Sequence, residues 1–371
     1  MSGLTARLNP RRIGLALAAP VIALLFAMTL TSVVLLVAGH SPGLAFSQML
    51  DFGTQPASIV QLLNKSAGYY LSALAVAIGF RMNLFNIGVD GQYRIAAMVA
   101  AVVGAAVNLP PVLHVGLIVL VAVVVGAAWA GIAGLLKVTR GVSEVISTIM
   151  LNFIGGSLVA WMLRPEVFAV LQGNNVSTRP IPASGQIPGI PFEGGTVYGF
   201  IVISGLVGLG YWFLLGRTRF GFDLRATGQS EPAAVASGVG VKKMVLYSML
   251  LSGGVAGLVG LPQLLGSSYA YSLDFPAGIG FTGIAIALLG RNHPIGIAFA
   301  SVLWSFLDVS NQILDLNDIP KEIVTIMQGT IVLAVVIAYE IVRRIGINRE
   351  QSRVAATLGD SRNDTPAAAV A

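Results

Sequence analysis

The 371-residue chain is 55% hydrophobic and only 10% charged, with a formal net charge of +6. A soluble domain carries about 25% charged residues, so a surface this poor in charge must lie largely against lipid. Bases scattered in short runs between apolar segments argue against a nucleic-acid groove. Cysteine is absent, which excludes thiolate metal sites, disulfides and cysteine nucleophiles. His40, His114 and His293 stand far apart, so no metal and no cofactor is expected.

A helix needs about 20 apolar residues to cross a bilayer. Such stretches fall near 13–38, 57–80, 86–108, 112–136, 143–163, 197–216, 243–265, 276–290, 295–313 and 323–342. The first is longer than a signal-peptide core and reads as a retained helix. No ten-residue segment alternates as a barrel strand would. The expectation is an all-α, polytopic membrane helix bundle of about ten spans with broken or re-entrant segments. It fills residues 1–345, and the polar, then alanine-rich tail 346–371 reads as disordered.

Orientation follows from Lys and Arg, which favour the cytoplasmic side. With the N-terminus inside, 17 of the 22 bases fall in inner segments. Arg164, Arg179 and Lys321 fall outside, and Lys65 and Arg94 lie within spans. Both termini are expected in the cytoplasm. The outer loop Arg164 to Thr196 is rich in Pro, Gly, Asn and Ser and reads as ordered or semi-ordered. In the inner loop 217–243, Ser230 can cap a short helix with Pro232 in its first turn.

Four polar groups stand at membrane depth. In Phe85 to Gln92, Asn86, Asp90 and Gln92 either line a pathway at a broken helix or cap a helix at the inner surface. In the segment from Ser143 to Asn152, Glu144 reads as first-turn chemistry, whereas Asn152 requires a partner from a helix or a solute. Tyr271, Asp274 and Phe281, with Tyr269 and Phe275, suit a flat, hydrogen-bonding ligand or an interfacial belt; Gly278, Gly280 and Gly283 read as loosening the helix start. Asp308, Asn311 and Gln312 share one helix face and favour contact between helices. Lys65 reads as a lysine that snorkels outward. The candidate pathway is therefore Asn86, Asp90, Gln92, Asn152, Tyr271, Asp274 and Phe281. No Gly-Lys pair exists to form a phosphate loop, and no HExxH or GxSxG motif stands on a span, so no catalytic residue is expected. The sequence AIGFR at 77–81 is echoed by ALLGR at 287–291, each before a new span, a weak sign of duplicated halves.

The segments FNIGVDGQ, EVISTIMLNFI, GFDLRATGQSEPAAVASGV and GFTGIAIALLGRNHPIG resemble those of ATP-binding-cassette (ABC) importer permeases in the branched-chain amino acid, ribose and nucleoside group. The nucleoside and simple-sugar permeases are the nearest. The family pattern NIGxEGQ has an acid one methylene longer than Asp90. The resemblance runs from about Leu62 to Arg343. It implies a bacterial inner-membrane permease paired with a second permease subunit, identical or homologous, an ABC ATPase and an extracytoplasmic solute-binding protein. It also implies that the short inner helix docks on the ATPase through Arg225, Glu231, Ala233, Ala234, Ser237 and Gly238. Nucleosides lead as solute, then simple sugars. The competing reading is a cation-coupled secondary transporter using Asp90, Asp274 or Asp308.

The base distribution sets a direct test of orientation. In this cysteine-free chain, a cysteine placed at Ser184 should react with an impermeant maleimide added outside, and one at Ser230 should not. The reverse pattern would contradict the orientation.

Overall fold

The structure, a computed structural model, describes residues 25–172, 175–317, 319–320, 322–338, 341 and 344. The chain divides into two compact units, Met1–Ala45 with Ile319–Ala371, and Phe46–Asp318. In the first, the described helices are α1 (Leu25–Val37) and α13 (Glu322–Ala338). Helix α2 (Pro42–Gly53) crosses the boundary. The second unit holds α3 (Pro56–Phe80), α4 (Val89–Ala106), α5 (Pro111–Arg140), α6 (Glu144–Met162) and α7 (Phe200–Arg217). It continues with α8 (Arg219–Gln229), α9 (Glu231–Ala236), α10 (Val241–Ser268), α11 (Ile279–Leu289) and α12 (Pro294–Leu316). The start of the first expected span, both termini and the tail after 346 lie outside the described residues.

The helix bundle is present, but the expectation of about ten spans is not met. Among the described residues five helices, α5, α6, α7, α10 and α12, are long and apolar enough to cross a membrane. The number is six if the bent pair α1 and α2 counts as one. The other segments fall short for different reasons. Helix α3 has 25 residues but carries Gln61, Asn64 and Lys65, and α4 opens with Asp90, Gln92 and Arg94. Helix α11 has only 11 residues, and α13 is also short. Asp90 and Gln92 are buried in neighbouring protein, and Gln61, Asn64 and Lys65 line a cavity. Every residue from Leu71 to Gly79 of α3 is buried, as are most of α4.

Small residues let the central helices approach. The buried face of α5 runs Ile118, Ala122, Gly126, Ala130, Ala133 and Gly134, near the four-residue spacing of one helical stripe. It faces Gly253 and Gly257 of α10 so closely that a Cβ on Gly126 would meet the Gly257 backbone at 2.8 Å. Leu120, Val124 and Leu135 point away and are exposed, as a lipid-facing side requires. Proline begins α3, α5 and α12, where its missing N–H costs no helical bond.

The loop between α6 and α7 is ordered into two antiparallel hairpins. Strand β1 (Ala169–Gln172) pairs with β2 (Asn175–Thr178), and β3 (Ile190–Phe192) pairs with β4 (Gly195–Val197). The loop is stitched to the last turn of α10 and to the chain that follows it. The Thr178 amide donates to the Tyr271 carbonyl (2.9 Å), the Ile181 amide to that of Tyr269 (2.8 Å) and the Ile187 amide to that of Leu265 (3.1 Å). Asn64 of α3 anchors β4, donating to the Thr196 carbonyl (3.0 Å) and accepting from the Tyr198 amide (2.7 Å).

Candidate functional site

Two helix breaks meet inside the Phe46–Asp318 unit. The first lies between α3 and α4, where the chain turns through Asn83 in the left-handed region. Backbone amides at such a break need partners, and side chains supply them. The Asn86 Oδ1 accepts from the Gly88 amide (3.1 Å) and from Gln92 Nε2 (2.8 Å). Its Nδ2 donates to Gln92 Oε1 (3.0 Å) and Ser252 Oγ (2.8 Å), and Ser252 donates on to the Ala75 carbonyl (2.7 Å). Asn152 reaches across from α6. Its Oδ1 accepts from the Gly91 amide (2.8 Å) and its Nδ2 donates to the Ile87 carbonyl (2.8 Å). Glu144 pairs with Lys137 at 2.5 Å and also accepts from the Phe85 amide, so this first-turn acid ties α5, α6 and the break together.

The second break lies between α10 and α11. Tyr269 and Gly278 take left-handed backbone angles at its two ends. Asp90 Oδ1 accepts from the amides of Gly278 (2.8 Å) and Gly280 (3.3 Å), placing a carboxylate at the positive start of α11. Ser72 donates to the Ile279 carbonyl (2.8 Å), and Tyr93 to that of Pro276 (2.7 Å). Gly280 and Gly283 do not loosen this start, as the sequence suggested. They permit contact, since a Cβ on Gly280 would enter the Asp90 backbone and one on Gly283 would enter Ser72.

Asn86, Asp90 and Gln92 are thus buried, and their polar atoms bind protein. Tyr271 is buried as well, stacked on Phe275 with ring centroids 4.4 Å apart, and its amide donates to Thr178 Oγ1 (3.0 Å). Asp274 and Phe281 are exposed and do not join it. The seven expected pathway residues therefore do not gather round one space.

A space does open beside them. A cavity of about 460 Å³ lies between α3, α10, α12 and the 276–279 segment. Its polar wall holds Gln61, Lys65, Tyr69, Tyr198, Gln263 and Asp308. Lys65 Nζ contacts Asp308 Oδ2 at 2.6 Å, and the Tyr69 hydroxyl donates to the same oxygen (3.0 Å). The volume falls within the roughly 300–1,000 Å³ of small-molecule sites. Among the described residues no group of His, Asp and Glu is arranged to hold a metal.

The inner loop forms α8 and α9. Thr218 caps α8, accepting from the Gly221 amide (3.2 Å). Ser230 caps α9, accepting from the Ala233 amide (3.4 Å), with Pro232 in the first turn as the sequence predicted. The end of α9 is closed by Gly238 at φ +82°. The Val239 amide reaches the Ala234 carbonyl and the Gly238 amide that of Val235, both at 2.9 Å. Caps at both ends and packing of the buried Ala234 hold this six-residue helix within the chain itself. Glu231, Ala233, Val235 and Ser237 remain exposed, and Arg225 is half-buried.

Residues 58–336 match the family model described as the branched-chain amino acid transport system permease component. The chain belongs to this permease family. It is 33% identical to a guanosine ABC transporter permease of Bacillus subtilis, over 87% of this chain and 93% of that one. It is 30% identical to a glucose ABC transporter permease of Haloferax volcanii, over 92% and 93%, and to a nucleoside ABC transporter permease of Lactococcus lactis, over 86% and 90%. No solved structure matches the chain. The permease is a transport subunit of an ABC importer and not an enzyme, and nothing in these comparisons supports the cation-coupled alternative.

For this permease, sequence reasoning found the residues at the helix breaks and missed the cavity. The signal for the cavity was present, because Lys65 is the one charge on α3 and Asp308 is the charge deepest within α12. The geometry of Asp90 sets an expectation. Asp90→Leu leaves the buried Gly280 amide and the part-buried Gly278 amide unpaired, at a cost of about 1–3 kcal/mol for the buried one, and should lower the thermal midpoint of the detergent-solubilised permease. Asp90→Asn keeps an acceptor oxygen and should cost less. Equal midpoints for wild type and Asp90→Leu would show that the carboxylate does not hold α11.

Proposed function

We propose that this permease imports an uncharged, hydroxyl-bearing solute, a nucleoside first and a simple sugar second, through the cytoplasmic membrane of a bacterium. The near full-length similarity to guanosine, nucleoside and glucose permeases carries this reading. An extracytoplasmic solute-binding protein delivers the solute, a second permease subunit, identical or homologous, completes the channel, and a separate ABC ATPase supplies the energy. Loops bearing Lys137, Arg140, Arg217, Lys242, Lys243 and Arg291 face the cytoplasm, as do both termini, in keeping with the concentration of bases there.

The pathway runs along the helix breaks. Asp90 shapes it through Gly278 and Gly280, whose segment 276–279 forms one wall of the cavity. Asn86, Gln92 and Asn152 hold the opposite break in register, and Tyr271 braces the outer loop. Asp274 and Phe281 lie on the exposed outer side of the second break, where solute arrives.

Energy enters through α8 and α9. This segment is capped, exposed and pre-formed, and Val235 and Phe222 present apolar side chains that are 61% and 64% exposed. A partner groove covering them would gain apolar burial, with Glu231 and Arg225 available for pairing. Ala234 faces inward, so Val235 is the better probe. Val235→Arg should leave the permease folded in the membrane, reduce co-purification of the ATPase at least tenfold, and abolish uptake of labelled guanosine and glucose in cells that express the whole complex. Unchanged co-purification and uptake would remove α9 as the docking element. Absence of uptake of either solute by the wild-type complex would overturn the solute assignment.

A further inference from the structure

The Lys65–Asp308 pair is the only direct ion pair among the described residues that joins α3 to α12. It sits well inside both helices, nine residues after Pro56 and eight before Leu316. Ionisable groups at such depth are costly and face protein interiors or wet cavities. Here they face the 460 Å³ cavity, with side chains 41% and 33% exposed. A buried pair that braces two helices repays its desolvation only when its remaining donors and acceptors are also hydrogen-bonded. This one is left open to the cavity.

Its hydrogen bonding is also lopsided. Both partners of Asp308, Lys65 and Tyr69, bind the same oxygen, Oδ2. Asp308 Oδ1 accepts from no described residue, and the Lys65 ammonium has three N–H donors with one described acceptor. The side-chain amides of Gln61 and Gln263, on the same wall, also have no side-chain partner among the described residues, and Tyr198 adds a ring. The wall therefore offers a free carboxylate oxygen, free ammonium donors, two amides and two tyrosine rings, yet no net charge.

The geometry points to a transit site in which Asp308 Oδ1 accepts from one solute hydroxyl while Lys65 Nζ donates to a neighbouring oxygen, a match for the vicinal hydroxyls of a furanose or pyranose ring. Gln61 and Gln263 bond further along the solute, and the rings of Tyr69 and Tyr198 cover its flat or apolar face. A phosphate-bearing analogue is rejected, because the positive charge it would need is already neutralised and Asp308 repels it. This inference rests on the import of nucleosides or sugars proposed above and assigns the residues that recognise them inside the membrane.

The test uses the permease assembled with its ATPase in lipid, with Ala277→Cys, on the cavity wall, as the permease's sole cysteine. Its modification by a soluble maleimide is timed with guanosine, glucose or guanosine monophosphate present. Guanosine or glucose should slow labelling, and the monophosphate should not at the same concentration. Asp308→Asn and Lys65→Met should each raise the half-protecting concentration at least tenfold. The exchanged pair, Lys65→Asp with Asp308→Lys, should recover the thermal midpoint but not the protection, because donor and acceptor have traded places. Lack of protection by either neutral solute, protection by the monophosphate, or full recovery in the exchanged pair overturns the proposal. Protection without uptake in the intact complex leaves the site standing and instead contradicts the import reading.

Discussion

One carboxylate oxygen of Asp90 accepts from the amides of Gly278 and Gly280 and so fastens the start of α11 to the start of α4. Both helices begin inside the protein, after breaks that would leave amides unpaired where water is scarce. Inside a membrane every backbone polar group must find a partner in the protein, and only interior positions can provide one. The bundle meets that demand by letting the two breaks and their flanking side chains satisfy each other. Asn86, Gln92 and Ser252 close the first, Asn152 clamps it from α6, and Ser72 and Tyr93 close the second. The glycines at 280 and 283 allow the approach that makes these bonds possible.

This arrangement separates a fixed side, at the helix breaks, from a more open one beside the cavity. On the fixed side, the polar atoms of Asn86, Asp90, Gln92 and Asn152 are hydrogen-bonded to protein, so their loss would be costly and their movement is restricted. On the other side, Lys65, Asp308, Gln61 and Gln263 have donors and acceptors to spare and face an open volume. A transporter needs both properties. It must hold a path through lipid without unpaired backbone, and it must offer a passing solute hydrogen bonds weak enough to be broken again.

Much of the fold is legible in the sequence. Spans beginning near 57, 112 and 295, the Ser230 cap and the polar character of 85–92 follow from residue chemistry alone. The span count did not, because apolarity along one segment cannot distinguish a helix facing lipid from one sheltered by neighbours. Helix α4 tolerates Asp90 through tertiary burial, and α3 tolerates Lys65 through its ion pair with Asp308 beside the cavity. The hairpins escaped notice because their strands have only three or four residues. The partners of Asn152 and Asp90 lie 61 and 188 positions away, and those of Lys65 lie 243 away. Each residue alone had an adequate local explanation, in capping, snorkelling or helix contact. Only the fold brings Lys65 and Asp308 to the same wall.

The central claim is that this chain conducts a neutral solute under the power of a separate ATPase, and reconstitution tests it most directly. The permease, its permease partner and the ATPase would be placed in sealed liposomes with the solute-binding protein outside and ATP inside, and entry of labelled guanosine or glucose followed. The account predicts accumulation that requires ATP hydrolysis and persists when proton and sodium gradients are collapsed. Accumulation driven by an ion gradient without ATP, with the ATPase omitted, would contradict it.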